Sequence, residues 1–303
     1  MSFCQGRLWA VIHRVVIGFS VGAVPGFAQD APGQVPSEED TERRSASYER
    51  LEAPVPSPEE LKKGTEASRA KLEEQGVYLD LEGGFVAVRG ATFHDRESLG
   101  YPIEYLIVTE YGRTHEAVFL IRARPQVLNN CLLAIGLEPG QGMRFEKIDP
   151  APDSPAKPWV THPASGPVVD LQVQWVDERG QSQAMPLESM LVDLETGEDL
   201  EGRGWIYVGS RMGSFRQGRE MVERYMADVY GNIVAIYLDG QGNCLFERNT
   251  LDGVDRAYTI HPDRVPPRNT PVTLLFKPTD KSVAPREMDA STESQEQEGG
   301  AGL

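Results

Sequence analysis

"IEYLIVTEYGRTHEAVFLIRA", residues 103–123, decides how this chain is read. Two apolar runs, Tyr105–Val108 and Ala117–Ile121, flank a polar centre with Gly112 in the middle. Strand-forming residues on both sides of a glycine predict a β-hairpin turning at Tyr111-Gly112. In that register Val108 faces His115, Ile107 faces Glu116 and Glu104 faces Phe119. Successive strand side chains point to opposite faces. His115 and Glu116 are then divided between the faces, while Thr114 and Glu116 share one. Glu104 shares the face of His115 but is displaced by four positions, roughly 13 Å along the strand. The candidate catalytic residues are therefore His115, Glu116, Thr114 and Glu104, with Tyr101, Arg113 and His162 as neighbours to examine and His115 as the one candidate metal ligand.

Working outward, strand patterns dominate. "VVDLQVQWVDERGQ" (168–181) alternates, with Val169, Leu171, Val173 and Trp175 on a buried face and Asp170, Gln172 and Gln174 on a wet one. "VYLDLEGGFVAVRG" (77–90) breaks at Gly83-Gly84, "YMADVYGNIVAIYLDG" (225–240) reads as a second hairpin turning at Gly231-Asn232, and "RVPPRNTPVTLLFKP" (264–278) is a turn and a final strand. Two helices stand out. In "PQVLNNCLLAIGL" (125–137) Val127, Leu128, Cys131, Leu132 and Ile135 recur at helical spacing behind an opening proline, which predicts one buried helix over 125–136. "SPEELKKGTEASRAKLEEQG" (57–76) carries a cap at Ser57, Pro58 in the first turn and Glu60 three residues after the cap, but few apolar positions; it predicts a surface helix over 58–75, weakened by Gly64. Strands that do not alternate with helices predict an α+β, sheet-rich fold with mostly antiparallel strands.

The ends differ in texture. Arg7, His13 and Arg14 precede the apolar run "VVIGFSVGAV" (15–24), and Gly26 and Ala28 are small, which predicts a signal peptide cleaved after Ala28. A retained anchor is the alternative. Cleavage removes two arginines and no acid, taking the formal charge from −16 to −18. So acidic a chain repels phosphate backbones, and no nucleic-acid partner is expected. Residues 29–56 and 280–303 are polar and read as a disordered linker and tail, which leaves 77–279 as the globular domain. The expected location is periplasmic or secreted, with no membrane span after cleavage.

Other chemical patterns are weak. The histidines 94, 115, 162 and 261 show no ligand spacing, so no zinc site is expected. "VGSRMGSF" (208–215) is not a nucleophile elbow, and "GLEPGQG" (136–142) lacks the lysine–serine pair of a phosphate loop. "DLETGEDLEG" (193–202) offers oxygens to calcium without the spacing of a known calcium loop. Trp175 and Trp205 either frame a ligand or pack in the core. Cys131 and Cys244 either pair as a disulfide or sit apart as buried small residues. Two cysteines do not hold an iron–sulfur cluster, and no cofactor is expected.

Taken together and in order, "GVYLDLEGGFVAVRG", "IEYLIVTEYGRTHEAVFL", "CLLAIGLEPG", "VDLQVQWVDERG", "GWIYVGS" and "PPRNTPVTLLFKP" resemble the segments of YdjY-domain proteins over roughly 77–279. The resemblance implies an exported, cell-envelope domain of unknown biochemical role and supplies no catalytic residue. Some relatives carry a ferredoxin-like label that implies four clustered cysteines, which this chain lacks. The favoured expectation is a non-catalytic binding or structural domain whose partner is an envelope protein or small ligand. The alternative is a metal-assisted or acid/base hydrolase using the Thr114, His115 and Glu116 surface.

Overall fold

The two runs of the 103–123 stretch pair, but not as a hairpin. In the computed structural model Tyr105–Thr109 and Ala117–Ile121 lie parallel, with Tyr105 beside Ala117 and Thr109 beside Ile121. Residues 110–116 carry the chain back along the strand instead of reversing it. Seven extended residues reach at most about 25 Å, enough to return past a strand roughly 17 Å long. Gly112 permits the crossing, because a side chain there would collide with the Gly231 carbonyl at 2.7 Å and Val108 at 2.8 Å. A 3-10 turn, Thr114–Glu116, then aims the chain into the next strand. Both strands are buried along nearly their whole length, the signature of parallel strands covered on two faces.

The structure describes residues 50–147, 159–200, 202–236, 243–248 and 257–285, all within one compact unit, Tyr48–Leu303. Its strands are β1 (Val77–Asp80), β2 (Phe85–Thr92), β3 (Tyr105–Thr109), β4 (Ala117–Ile121), β5 (Arg144–Lys147), β6 (Trp159–His162), β7 (Gly166–Val176) and β8 (Ser182–Pro186), followed by β9 (Leu191–Asp193), β10 (Trp205–Tyr207), β11 (Met212–Gln217), β12 (Glu220–Tyr225), β13 (Asn232–Ala235), β14 (Phe246–Glu247), β15 (Tyr258–Ile260) and β16 (Pro271–Val283). Eight of them close into a barrel, in the order β2-β16-β7-β10-β14-β13-β3-β4, with β4 returning to β2. Two neighbouring pairs, β3–β4 and β13–β14, are parallel, and the other pairings are antiparallel. The sheet-rich, mostly antiparallel expectation holds. Its closure goes beyond that expectation. β1 and β8 hang on the barrel as flanking strands, and β5–β6, β9–β15 and β11–β12 form separate two-stranded sheets.

An eight-stranded barrel is just wide enough for side chains to fill. Phe246 on β14 meets Phe276 on β16 at 5.4 Å and Tyr207 on β10 at 5.6 Å. β14 and β16 are separated by two strands in the sheet, so the first contact crosses the interior. The helix Pro125–Ala134 adds Val127, Leu128, Cys131 and Leu132 to the same apolar cluster, as its spacing predicts. β7 alternates as read, with Val169, Leu171 and Val173 buried and Asp170 exposed, although Trp175 is only partly buried.

Four expectations change. The second hairpin is absent: Met226–Tyr230 is a helix that stops at Gly231 in the left-handed region, φ 69°, before β13 begins. The surface helix is two helices, Pro58–Lys62 with the expected capping box and Glu66–Glu74 capped by Thr65, because Gly64 takes φ 59° between them. β16 runs on to Val283, past the boundary at 279. Residues 50–56, read as linker, lie on the domain: Val55 packs on the core, and Arg124 and Asn130 donate to the carbonyls of Ala53 and Pro56. The remainder of the signal, linker and tail readings, 1–49 and 286–303, falls outside the described residues. Cys131 and Cys244 are buried in separate apolar clusters and are not joined, so the disulfide alternative is not formed. Burial pushes the Cys131 thiol up to about 12.

Candidate functional site

Parallel pairing places the beginnings of β3 and β4 side by side. Glu104 precedes β3 and Glu116 precedes β4, and the Glu104 amide donates to the Glu116 carbonyl at 3.0 Å. Two carboxylates are thereby brought together, and Arg113 bridges them. Its Nη1 lies 3.3 Å from Glu104 Oε2 and 3.3 Å from Glu116 Oε2. Partial burial opposes the Arg113 charge, but Tyr105, Glu116 and Glu104 outweigh it and raise its pKa. The other Glu116 oxygen is 3.3 Å from His115 Nε2.

Three of the four predicted site residues therefore join in one surface cluster, which the hairpin register forbade. The 3-10 turn abolishes strand alternation at 114–116, so His115 and Glu116 are not split between faces. Thr114 shapes the turn, its amide donating to the Gly112 carbonyl at 2.9 Å. The His115 side chain is 75% exposed, so the imidazole works in water, without a pocket to exclude it. The cluster can orient an imidazole and hold a neutralised guanidinium. Ion pairs this exposed contribute about 0–1 kcal/mol each. Tyr101 is exposed, and His162 pairs with Glu146 at 2.9 Å on the two-stranded β5–β6 sheet.

Beside the cluster, His94 Nδ1 lies 2.6 Å from the Ala117 carbonyl. Burial lowers its pKa below the ordinary 6.5, with Arg268 and His115 adding to the effect and the Ala117 carbonyl opposing it. A depressed imidazole contributes stability that is complete above about 6.5 and is lost as pH falls toward the folded value. The melting temperature of wild type should therefore drop between pH 7.5 and 5.5 more steeply than that of His94→Gln. Parallel profiles for the two proteins would show that His94 is not the titrating group.

The remaining sequence candidates have structural duties. Asp193 Oδ1 accepts the amides of Glu195 and Thr196, and Asp199 pairs with Arg264, so residues 193–199 of the acidic segment form a braced turn. Ser210 Oγ accepts the Ala227 amide at 3.1 Å. Trp205 is core. Among the described residues no group of three His, Cys, Asp or Glu is placed to hold a metal.

Sequence reasoning missed a concavity outside the barrel. A groove of about 860 Å³ runs along β1, walled by the Glu66–Glu74 helix on one side and the outer faces of β2 and β16 on the other. Arg69, Leu72, Tyr78, Leu79, Arg89 and Thr273 line it. Tyr78 and Leu81 are 60% and 41% exposed. The signal was Tyr78, a large aromatic residue in phase with Asp80 and Glu82 in "VYLDLE", where a solvated face does not call for one.

A protein-family model, the YdjY domain, matches residues 87–277. The chain belongs to the YdjY domain family. No curated protein and no solved structure matches it. The matched YdjY region holds all eight barrel strands in whole or in part, together with the Glu104–Arg113–Glu116 cluster. Helix Glu66–Glu74 and β1 precede it, so one wall of the groove is built by sequence outside the YdjY match.

Proposed function

We propose that this YdjY-domain protein is an exported cell-envelope domain that acts by binding, with the groove beside β1 as its binding surface. The observation that carries the reading is the contrast between a barrel interior filled by its own side chains and an open, largely apolar groove outside it. The volume falls in the range of ligand sites, about 300–1,000 Å³. The N-terminal segment supports export, and among the described residues no helix is long and apolar enough to cross a membrane.

Expression of the full chain in a bacterium with a periplasm tests the first half. Periplasmic protein beginning at Gln29 is expected; full-length protein retained in the cytoplasm refutes export. Ala87→Trp tests the second half, since Ala87 lines the groove. Envelope extract passed over the mature protein should leave a component that wild type retains and the variant does not. Equal retention by both places binding elsewhere.

A further inference from the structure

We infer that the groove takes an extended, acidic peptide segment of a partner polypeptide, which adds to β1 as a new edge strand; this rests on the binding role proposed above. Four observations carry it. First, among the described residues β1 pairs with β2 alone, which leaves its other side an open edge. Open edges are templates for a further strand.

Second, the register says which groups that edge offers. The Arg89 amide donates to the Gly76 carbonyl at 2.8 Å, which makes Gly76 and Arg89 a hydrogen-bonded pair. Hydrogen-bonded and non-bonded pairs alternate along antiparallel strands. Tyr78–Ala87 and Asp80–Phe85 are therefore bonded pairs, and Val77–Val88 and Leu79–Val86 are not. The amides and carbonyls of Val77 and Leu79 point away from β2, and both residues line the groove. Among the described residues, no hydrogen bond from beyond the β1–β2 ladder reaches them. An added strand can make up to four backbone bonds there.

Third, the groove carries cations without counter-ions. Arg69 and Arg89 both line it, and among the described residues neither has a carboxylate within 4.0 Å, although Glu73 lines the same wall. Gly76 gives Arg89 its path: a Cβ there would lie 3.1 Å from Arg89 Cβ, so the arginine stem crosses β1 where the side chain is missing. An acidic side chain opposite Gly76 meets this guanidinium. Fourth, Asp80 and Glu82 stand at the other end, which sets the polarity of the occupant: carboxylate toward Gly76, neutral or basic residue toward Glu82.

Fluorescence anisotropy of labelled acetyl-Val-Glu-Val-Ala-Val amide against the mature chain, Gln29–Leu303, tests the inference. Saturable binding is expected, at least tenfold tighter than for acetyl-Val-Lys-Val-Ala-Val amide. Leu79→Pro removes a groove-facing amide and leaves the β2 ladder intact, so it should weaken binding at least tenfold. N-methylation of alternate probe amides should do the same with the protein unaltered, which covers the case in which the proline variant fails to fold. Arg69→Gln with Arg89→Gln should erase the preference for the acidic probe. Neither peptide saturating by 1 mM, or binding indifferent to both amide removals, overturns strand addition. So does binding seen only after residues 286–303 are deleted, because the acidic occupant is then the chain's own segment. An edge-to-edge dimer that the peptide does not displace also overturns it. If the peptides fail while an envelope component still distinguishes wild type from Ala87→Trp, the binding role stands and the peptide occupant falls.

Discussion

Gly140→Ala should lower the urea midpoint of unfolding sharply. Gly140 and Gly166 cross with their backbones in contact: a Cβ on Gly140 would overlap the Ser165 carbonyl oxygen and lie 2.6 Å from Gly166 Cα. The reverse substitution is no better, because a Cβ on Gly166 would lie 2.6 Å from Gly140 Cα. The two segments are also bonded together, through Gln141 N to Ser165 O at 2.8 Å and Ser165 N to Gln141 O at 2.9 Å. The Gly140 amide is tied to the Tyr207 carbonyl of β10 as well. Backbone held from three sides does not move aside as a flexible side chain does. Overpacking commonly costs about 1–3 kcal/mol; with backbone as the obstacle the expected loss exceeds about 3 kcal/mol, a large share of a domain's stability. Urea denaturation measures it. Gly202→Ala, with nothing within 4 Å of the added methyl, is the control and should stay within about 0.5 kcal/mol of wild type. If Gly140→Ala unfolds at the wild-type midpoint, the crossing is not as tight as described.

Asp228→Ala should cost about 3–5 kcal/mol, the range for breaking a buried ion pair from one side. Asp228 is 1% exposed. Its Oδ2 accepts from Arg124 Nε at 3.0 Å and from Nη2 at 2.5 Å, and its Oδ1 accepts the Gln126 amide at 2.8 Å. One carboxylate thus satisfies a guanidinium and an otherwise open amide in the first turn of the Pro125–Ala134 helix. Arg124 in turn holds the Ala53 carbonyl, so the N-terminal approach to the domain hangs on the same pair. Removing Asp228 leaves a buried cation unpaired. Removing both charges, Arg124→Met with Asp228→Ala, should cost less than the two single changes summed. Chemical denaturation of the four proteins completes the cycle. A single-variant loss below about 1 kcal/mol would show that water reaches Arg124.

The wrong hairpin has a physical explanation in the residues that suggested it. A glycine amid polar residues between two apolar runs is the ordinary hairpin pattern, and parallel neighbours usually need a dozen or more connecting residues. Here seven suffice, because Gly112 lets the chain pass directly against Gly231. One local signal pointed the other way. "YLIV" and "AVFLI" are continuous, not alternating, as strands buried on both faces are. The same error split Glu104, His115 and Glu116 apart. Their convergence follows from strand direction alone, since parallel pairing puts the two strand starts together. Arg124–Asp228 was equally hidden: the partners are 104 residues apart and each looks like an ordinary surface charge.

What the sequence determines by itself is local. The Ser57 capping box, the buried stripe of the Pro125–Ala134 helix and the alternating faces of β7 and β16 depend on neighbours within one or two turns or a single strand, and each can be read there. The resemblance to the YdjY family was legible for a related reason, because it rests on the order of such segments. The tertiary structure decides the rest: which strands pair, in which direction, that eight of them close, and that β1 is left outside with one edge open. A strand buried on both faces is apolar whichever neighbour it takes. Its composition therefore carries no record of partner or direction, and only the packed barrel supplies them.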